Sequence, residues 1–352
     1  MVNKLSLFFC LLLLPFVLTL DCGNTSVSPG ITAAAAVLSA AETGAEAPER
    51  LAAMAPPVRV KPLILKRQVH SSILHFTHPD TLPYLPFDPP MLEALYEQGN
   101  YLRRSEVKDY PVHGISKAEM LRTTELLQDC QILQPEALLD RFDFYKIKTD
   151  LRKDRVRITG YYTPIIQASR VRTDEYSVPL LRRPDDHVPS PAAITAGALD
   201  GKGLELAWLR TKRELENAQL QGSCWVEYPD GKREHFGFGG SVRGAGGAYV
   251  FFMKVGEEVF GAGFFPLTAG YSVAVDPRFI PIGATLLAEL PDMDPAGNLK
   301  GYTYRILFAQ DRGGAILTTK RLDLYSGIGK KGLQEARKIN GFGRLWLLLP
   351  KQ

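Results

Sequence analysis

A chain of 352 residues, 45% hydrophobic and 23% charged, has room for one to three domains and an ordinary globular composition. Its net charge of +4 is scattered with no basic cluster, which argues against nucleic acid as a partner. The cysteines and histidines fall in no metal-ligand spacing, so neither a metal nor another cofactor is expected.

Lys4 precedes an apolar run from Leu5 to Leu20, broken at Ser6, Pro15 and Thr19. The run is shorter than the roughly 20 apolar residues of a membrane span and reads as a secretory signal over residues 1–21. Cys22 then offers a site for lipid attachment, although Asp21 stands where bacterial lipoprotein signals prefer a small residue. A plain signal peptide is the other reading. Both put the chain outside the cytoplasm, and acylation would anchor it to the membrane surface. An Ala/Pro-rich tether is expected over 22–90, with short ordered pieces at Leu63–Leu65 and Ile73–Phe76 and folding proper from near Met91. Cys130 and Cys224 remain for one bridge or for two buried thiols.

Apolar spacing predicts a helix over Met91–Arg103, and Ser116–Glu119 has the form of a capping box that opens a second helix through Leu127. Pro135 sits in the first turn of a third, Pro135–Phe144. After Asp150 the pattern changes to short apolar runs separated by Gly and Pro turns, beginning with Val156–Tyr162 and ending with Arg344–Leu349. Many short strands of this kind predict a mainly β fold with flanking helices. Leu204–Leu220 reads as the one helix among them.

Within Lys320–Tyr325, alternation puts Leu322 and Leu324 on one face and Arg321, Asp323 and Tyr325 on the other. Asp is depleted in strands, so Asp323 in this setting, and Asp311 after the apolar Ile306–Ala309, are either solvated or used. Arg321 would oppose protonation of Asp323 if it pointed at it. Asp276 follows Tyr271–Val275 in the same manner. Tyr161, Tyr162 and Thr163 concentrate rings and hydroxyls in Thr159–Pro164, where core packing and sugar stacking are both open. Gln221 and Ser223 flank Gly222, which in the plain reading caps a helix.

These segments resemble the membrane-bound lytic transglycosylase A family with its three-aspartate C-terminal module. The likeness rests on TGYYTP at 159–164, QGS at 221–223, PLTAGYSVAVDPRFIPIGATLLAELP at 266–291, AQDRGGAI at 309–316 and RLDLYSGIG at 321–329. It implies a double-psi β-barrel made of 91–166 plus 262–352, with a smaller, shortened β-domain inserted over 167–261 and a groove between them. It also implies cleavage of the β-1,4 bond between N-acetylmuramic acid and N-acetylglucosamine in a peptidoglycan glycan strand, without water. Asp323 matches the single acid/base, Asp311 the supporting carboxylate and Asp276 the first of the three aspartates. Substrate contacts are expected from Tyr161, Tyr162, Thr163, Gln221, Ser223, Asp276 and Tyr325. Leu317-Thr318 and Tyr271 stand where the family more often has Lys-Gly and Arg. A glycan-binding wall protein with a degenerate site and a β-1,4-glycan hydrolase on the same barrel are the competing expectations.

Overall fold

The computed structural model describes residues 58–59, 72–109, 112–128, 134–149 and 154–351. The expected signal segment, Cys22 and Cys130 lie outside them. Cys224 is a buried free thiol.

In chain order the elements are β1 (Val58–Arg59), β2 (Leu74–Phe76), β3 (Thr81–Leu82), α1 (Pro89–Arg103), α2 (Lys117–Gln128), α3 (Pro135–Arg141), β4 (Phe142–Ile147) and β5 (Val156–Thr163). Next come β6 (Ile165–Ser169), β7 (Val178–Leu181), α4 (Pro191–Thr195), β8 (Glu205–Leu209), α5 (Lys212–Gln221), β9 (Cys224–Glu227), β10 (Arg233–Gly244) and β11 (Gly247–Lys254). The chain closes with β12 (Ser272–Ala274), β13 (Thr285–Met293), β14 (Leu299–Asp311), β15 (Arg321–Ile328), α6 (Gly329–Lys338), β16 (Asn340–Gly343) and β17 (Leu345–Pro350).

Strands β6 to β11 make a six-stranded sheet, and a nine-stranded sheet runs β16-β5-β15-β12-β14-β13-β17-β4-β2. Both turn back on themselves. A bridge from Arg182 to Phe252 brings the β7 end of the smaller sheet to β11. In the larger sheet, Glu289 N donates to Arg344 O, and β16 lies against β13 so closely that a Cβ on Gly343 would sit 1.8 Å from Glu289 O. Only glycine permits that approach.

Alternation along the strands divides the apolar side chains. Leu286, Leu307, Ala309, Leu322, Leu324 and Leu347 form one core. Leu287, Ile306, Phe308, Trp346 and Leu348 form another with Met91, Ala94 and Leu95 of α1. The smaller sheet has its own core around Leu209, Val226 and Phe236.

Three expectations are corrected. Packing begins before Met91: β2 pairs with β4, and Leu82, Leu85 and Phe87 are buried beside α1, so the Pro-rich 72–90 stretch carries core residues and is no tether. The third helix stops at Arg141 because Phe142 turns extended and the aromatic Phe142–Ile147 run pairs with β17 and β2. Leu204–Leu220 is a strand, then a helix. Thr211 caps α5 by accepting from Glu214 N at 3.2 Å while Glu214 Oε2 accepts from Thr211 N at 2.9 Å, which fixes the start after the strand.

Candidate active site

The site is a row across the larger sheet. Asp323 on β15 pairs with Thr159 on β5 and with Ala274 on β12, and Ala274 also pairs with Asp311 on β14. Asn340 of β16 extends the row beyond Thr159. Residues paired across a ladder share a face, so both carboxylates project to the same side, with only the Ala274 methyl between them. Strand spacing alone puts their Cα atoms roughly 10 Å apart.

A bulge makes this possible. Val273 pairs with Ala309, and the next pair is Ala274 with Asp311, so Gln310 is skipped. Plain alternation would have sent Asp311 into the core with Leu307 and Ala309. Gln310 instead keeps to the Phe308 side, where Ser272 Oγ donates to Oε1 at 2.5 Å and Nε2 donates to Ala94 O at 2.9 Å, and the bulge brings Asp311 onto the face of Ala274. Bulges commonly re-aim a side chain beside an active site.

The two carboxylates are held differently. Asp323 is 14% exposed and gripped by Arg321, whose Nε donates to Oδ1 at 2.7 Å and Nη2 to Oδ2 at 2.8 Å. Thr159 Oγ1 donates to the same Oδ1. Asp311 makes no ion pair among the described residues. Tyr161 OH donates to its Oδ2 at 2.7 Å and Ala262 N to its Oδ1 at 3.1 Å. Burial raises the Asp311 carboxyl above the usual carboxylate range, against the opposing effect of the Tyr161 and Ala262 donors. Burial, then the charge of Asp311, pushes the Tyr161 hydroxyl well above its ordinary value. Tyr325 packs on Tyr161 with ring centroids 5.3 Å apart, and burial pushes its hydroxyl up to about 12.

The QGS segment supports the same strand. Gly222 is the left-handed cap of α5, with φ +78. It leaves Gln221 Oε1 to accept from Tyr162 N at 3.1 Å and Ser223 Oγ to meet Thr163 Oγ1 at 3.0 Å. Thr163 Oγ1 also meets Tyr325 OH at 3.3 Å, and Asn217 Nδ2 donates to Tyr162 OH at 3.1 Å. The structure thus gathers Asp311, Asp323, Tyr161, Tyr162, Thr163, Tyr325, Gln221 and Ser223 into a network of neighbouring hydrogen-bonded groups on adjacent strands and the end of α5.

Asp276 stands apart from that network. Its buried carboxylate takes Nε and Nη2 of Arg278 at 2.9 and 2.6 Å, and this pairing holds it below the usual range. Arg278 Nη2 also reaches Leu317 O at 2.8 Å, so the pair anchors the loop between β14 and β15. Arg243 of β10 donates to Gly314 O of the same loop at 2.8 Å, tying the smaller sheet to it. Tyr271 is a core residue, its hydroxyl on Asp88 Oδ2 at 2.8 Å. Thr159, Ala262 and Asn217 were absent from the sequence-derived set. Alternation puts Thr159 on the face of Tyr161, but only the β5–β15 register sets it opposite Asp323. No group of metal-ligating side chains occurs among the described residues.

A family model described as the 3D domain matches residues 271–349, and one described as the MltA specific insert domain matches 157–195. Membrane-bound lytic murein transglycosylase A of Escherichia coli (strain K12) is 32% identical over 240 residues, 55% of this chain and 65% of the relative. The protein of that name from Vibrio cholerae serotype O1 is 28% identical over 244 residues, 56% of this chain and 66% of the relative. The chain thus spans about 65% of the length of the curated relatives it matches. The crystal structure of E. coli MltA with bound chitohexaose is similar at a TM-score of 0.65 and 26% identity, covering 83% of this chain and 100% of that one. On these matches, and with the mainly β fold they share, the chain is similar to the membrane-bound lytic murein transglycosylases A.

Proposed function

We propose that this protein is a peptidoglycan lytic transglycosylase acting outside the cytoplasm, at the periplasmic side of a membrane. It cleaves the β-1,4 bond between N-acetylmuramic acid and N-acetylglucosamine without water and leaves a 1,6-anhydro end. The observation that carries this reading is the placement of Asp311 and Asp323 on one face, on either side of Ala274. The names of the relatives and the chitohexaose bound to one of them support the substrate class. Membrane association is proposed on those names and on Cys22 as a site for lipid attachment. No helix among the described residues is long and apolar enough to cross a membrane.

Asp323 in its protonated form gives its proton to the leaving glycosidic oxygen as positive charge develops at C1. The resulting carboxylate takes the proton of the muramoyl C6 hydroxyl, whose oxygen closes on C1. One group serves as acid and then as base, and the nucleophile gains the effective molarity of an intramolecular attack. Thr159 and Arg321 orient the carboxylate, and Arg321 must yield one oxygen to the glycan. Asp311 and Tyr161 form the polar wall beside the developing charge.

A second reading has its own observation. The environments of the two aspartates are unlike, Asp311 raised by burial and Asp323 clasped by a guanidinium, as in a hydrolase that divides acid and base between two carboxyls. Reducing-end analysis of digested sacculi separates the two. Anhydro-muramoyl ends support the transglycosylase, and free reducing ends the hydrolase. Wall lysis undiminished by Asp323→Asn would sink the catalytic assignment, and glycan capture by the parent protein without cutting would leave only a binding protein.

A further inference from the structure

A cavity of about 320 Å3 adjoins the carboxylate row at Thr159. Its walls include Arg157, Tyr162, Gln221, Arg337 and Asn340. The charges around it are unbalanced. Arg157 and Arg321 are direct ladder partners on β5 and β15, and like charges set opposite each other oppose sheet pairing. Asp323 neutralises Arg321. Arg157 instead donates to the neutral amide oxygen of Asn340 at 3.4 Å. Neither Arg157 nor Arg337 has a carboxylate partner among the described residues. A place in the last turn of α6, where cations meet the negative end of the helix dipole, accounts for Arg337 but not for Arg157.

Guanidinium groups bind carboxylates through two parallel hydrogen bonds, and a cavity that gathers two uncommitted forks concentrates attraction for an anion. Arg157 lies two residues from Thr159 along β5, roughly 6.6 Å, so an anion bound there is about one sugar ring from Asp323. On a peptidoglycan strand the anions at that distance belong to the peptide that each muramic acid carries on its lactyl group. We propose that Arg157 and Arg337 bind a carboxylate of this peptide substituent, so that the site selects the peptide-bearing muramoyl residue next to the bond to be cut. This rests on the peptidoglycan reading above and adds to it a recognition site for the substituent.

The test is a binding measurement, which needs no turnover. A soluble disaccharide–peptide is titrated calorimetrically into the parent protein, once with its peptide carboxylates free and once with them amidated. The expected preference for the free acid is about tenfold, the scale of one charge-assisted hydrogen-bonded pair. In a protein carrying both Arg157→Gln and Arg337→Gln that ratio falls to about one, and Arg157→Lys with Arg337→Lys restores part of it. Equal affinity of the parent for the two ligands overturns the proposal, as does a ratio that survives the double glutamine change. Failure of the transglycosylase reading appears elsewhere, in the products and the Asp323→Asn lysis assay, and leaves this ratio untouched.

Discussion

Asp311 and Asp323 are two strands apart and share one ladder partner, Ala274, the smallest side chain that can lie between them without leaving a glycine in the strand. In the proposed reaction the sugar enters between the two carboxyls, and the size of residue 274 then sets the width of the site. Ala274→Val adds two methyl groups at a buried position, and overpacking of that kind costs about 1–3 kcal/mol. The larger loss is expected in turnover, since a misplacement near 1 Å can cost about a hundredfold. Release of muropeptides by purified variant and parent, compared with their urea midpoints, checks this. A turnover loss no greater than the stability loss predicts would remove Ala274 from the site.

Tyr161 supplies the side-chain donor on Asp311. Tyr161→Phe keeps the ring against Tyr325 and removes only the hydroxyl. Leaving one oxygen of this half-buried carboxylate without its donor costs about 1–3 kcal/mol. The loss is smaller in acid, where Asp311 protonates and no longer needs the donor. Thermal unfolding of parent and variant at neutral and acid pH measures it, and an equal loss at both would contradict the pairing.

Much of this arrangement was legible and part was not. The alternation of Leu322 and Leu324 against Arg321, Asp323 and Tyr325 is as the residues imply, because period-2 patterning is local. Gly222 as a cap and the Ser116–Glu119 box are likewise local chemistry. The partnership of Asp311 with Asp323 is not, because it depends on a bulge at Gln310 that alternation does not reveal. The fate of Asp276 was also hidden: its partner Arg278 is two residues away, but only the folded turn shows that the pair faces the Leu317 loop. In β4 the aromatic run read as the end of a helix because its partners, β17 and β2, lie far away in sequence.

His235 is buried against Trp225, the rings stacked 4.9 Å apart, and its Nδ1 lies 2.8 Å from Gly256 O. Burial lowers its pKa, opposed by its backbone hydrogen bonds. A lowered folded value means that the unfolded chain binds the proton first. The stability it contributes is therefore present above the unfolded value of about 6.5 and is lost as pH falls through the lower folded value. Asp311 has the opposite sign: its stabilising effect is present below the unfolded carboxylate value and lost as pH rises through the raised folded one. Urea midpoints should fall between pH 7 and about 5, and His235→Phe should flatten that slope. His78 and His113, lowered by burial as well, leave a residual slope. An unchanged slope in the variant would exclude His235 as a contributor.

Glu289 holds the returning end of the larger sheet. Arg344 binds it with Nε and Nη2, both at 2.9 Å, and Arg155 Nη1 adds a third contact at 2.9 Å. Burial opposes its charge, but Arg344 and Arg155 hold the carboxyl below its usual range. Glu289→Ala removes the carboxylate of Arg155 and leaves Arg344 only the exposed Asp80 at 3.5 Å, and should cost about 3–5 kcal/mol, with Glu289→Gln costing less. Denaturant unfolding gives the comparison, and a loss under about 1 kcal/mol would mean that the pairs are solvent-screened.

Arg321 is the residue that decides how Asp323 presents its oxygens. Its two nitrogens and the Thr159 hydroxyl leave the carboxylate one orientation. Arg321→Gln leaves Thr159 as the remaining donor, so the carboxyl can rotate away from the glycosidic oxygen. If the proposed glycan strand is held by many residues besides this one, KM should change by less than about twofold while kcat falls about a hundredfold, the penalty for a mispositioned acid. Arg321→Lys keeps the charge but not the fork, and should recover only part of the loss. Should lysine restore full turnover, charge alone would be what Asp323 needs from position 321, and the orienting role would be wrong. If KM rose in step with the loss of kcat/KM while kcat held, Arg321 would instead be a substrate ligand.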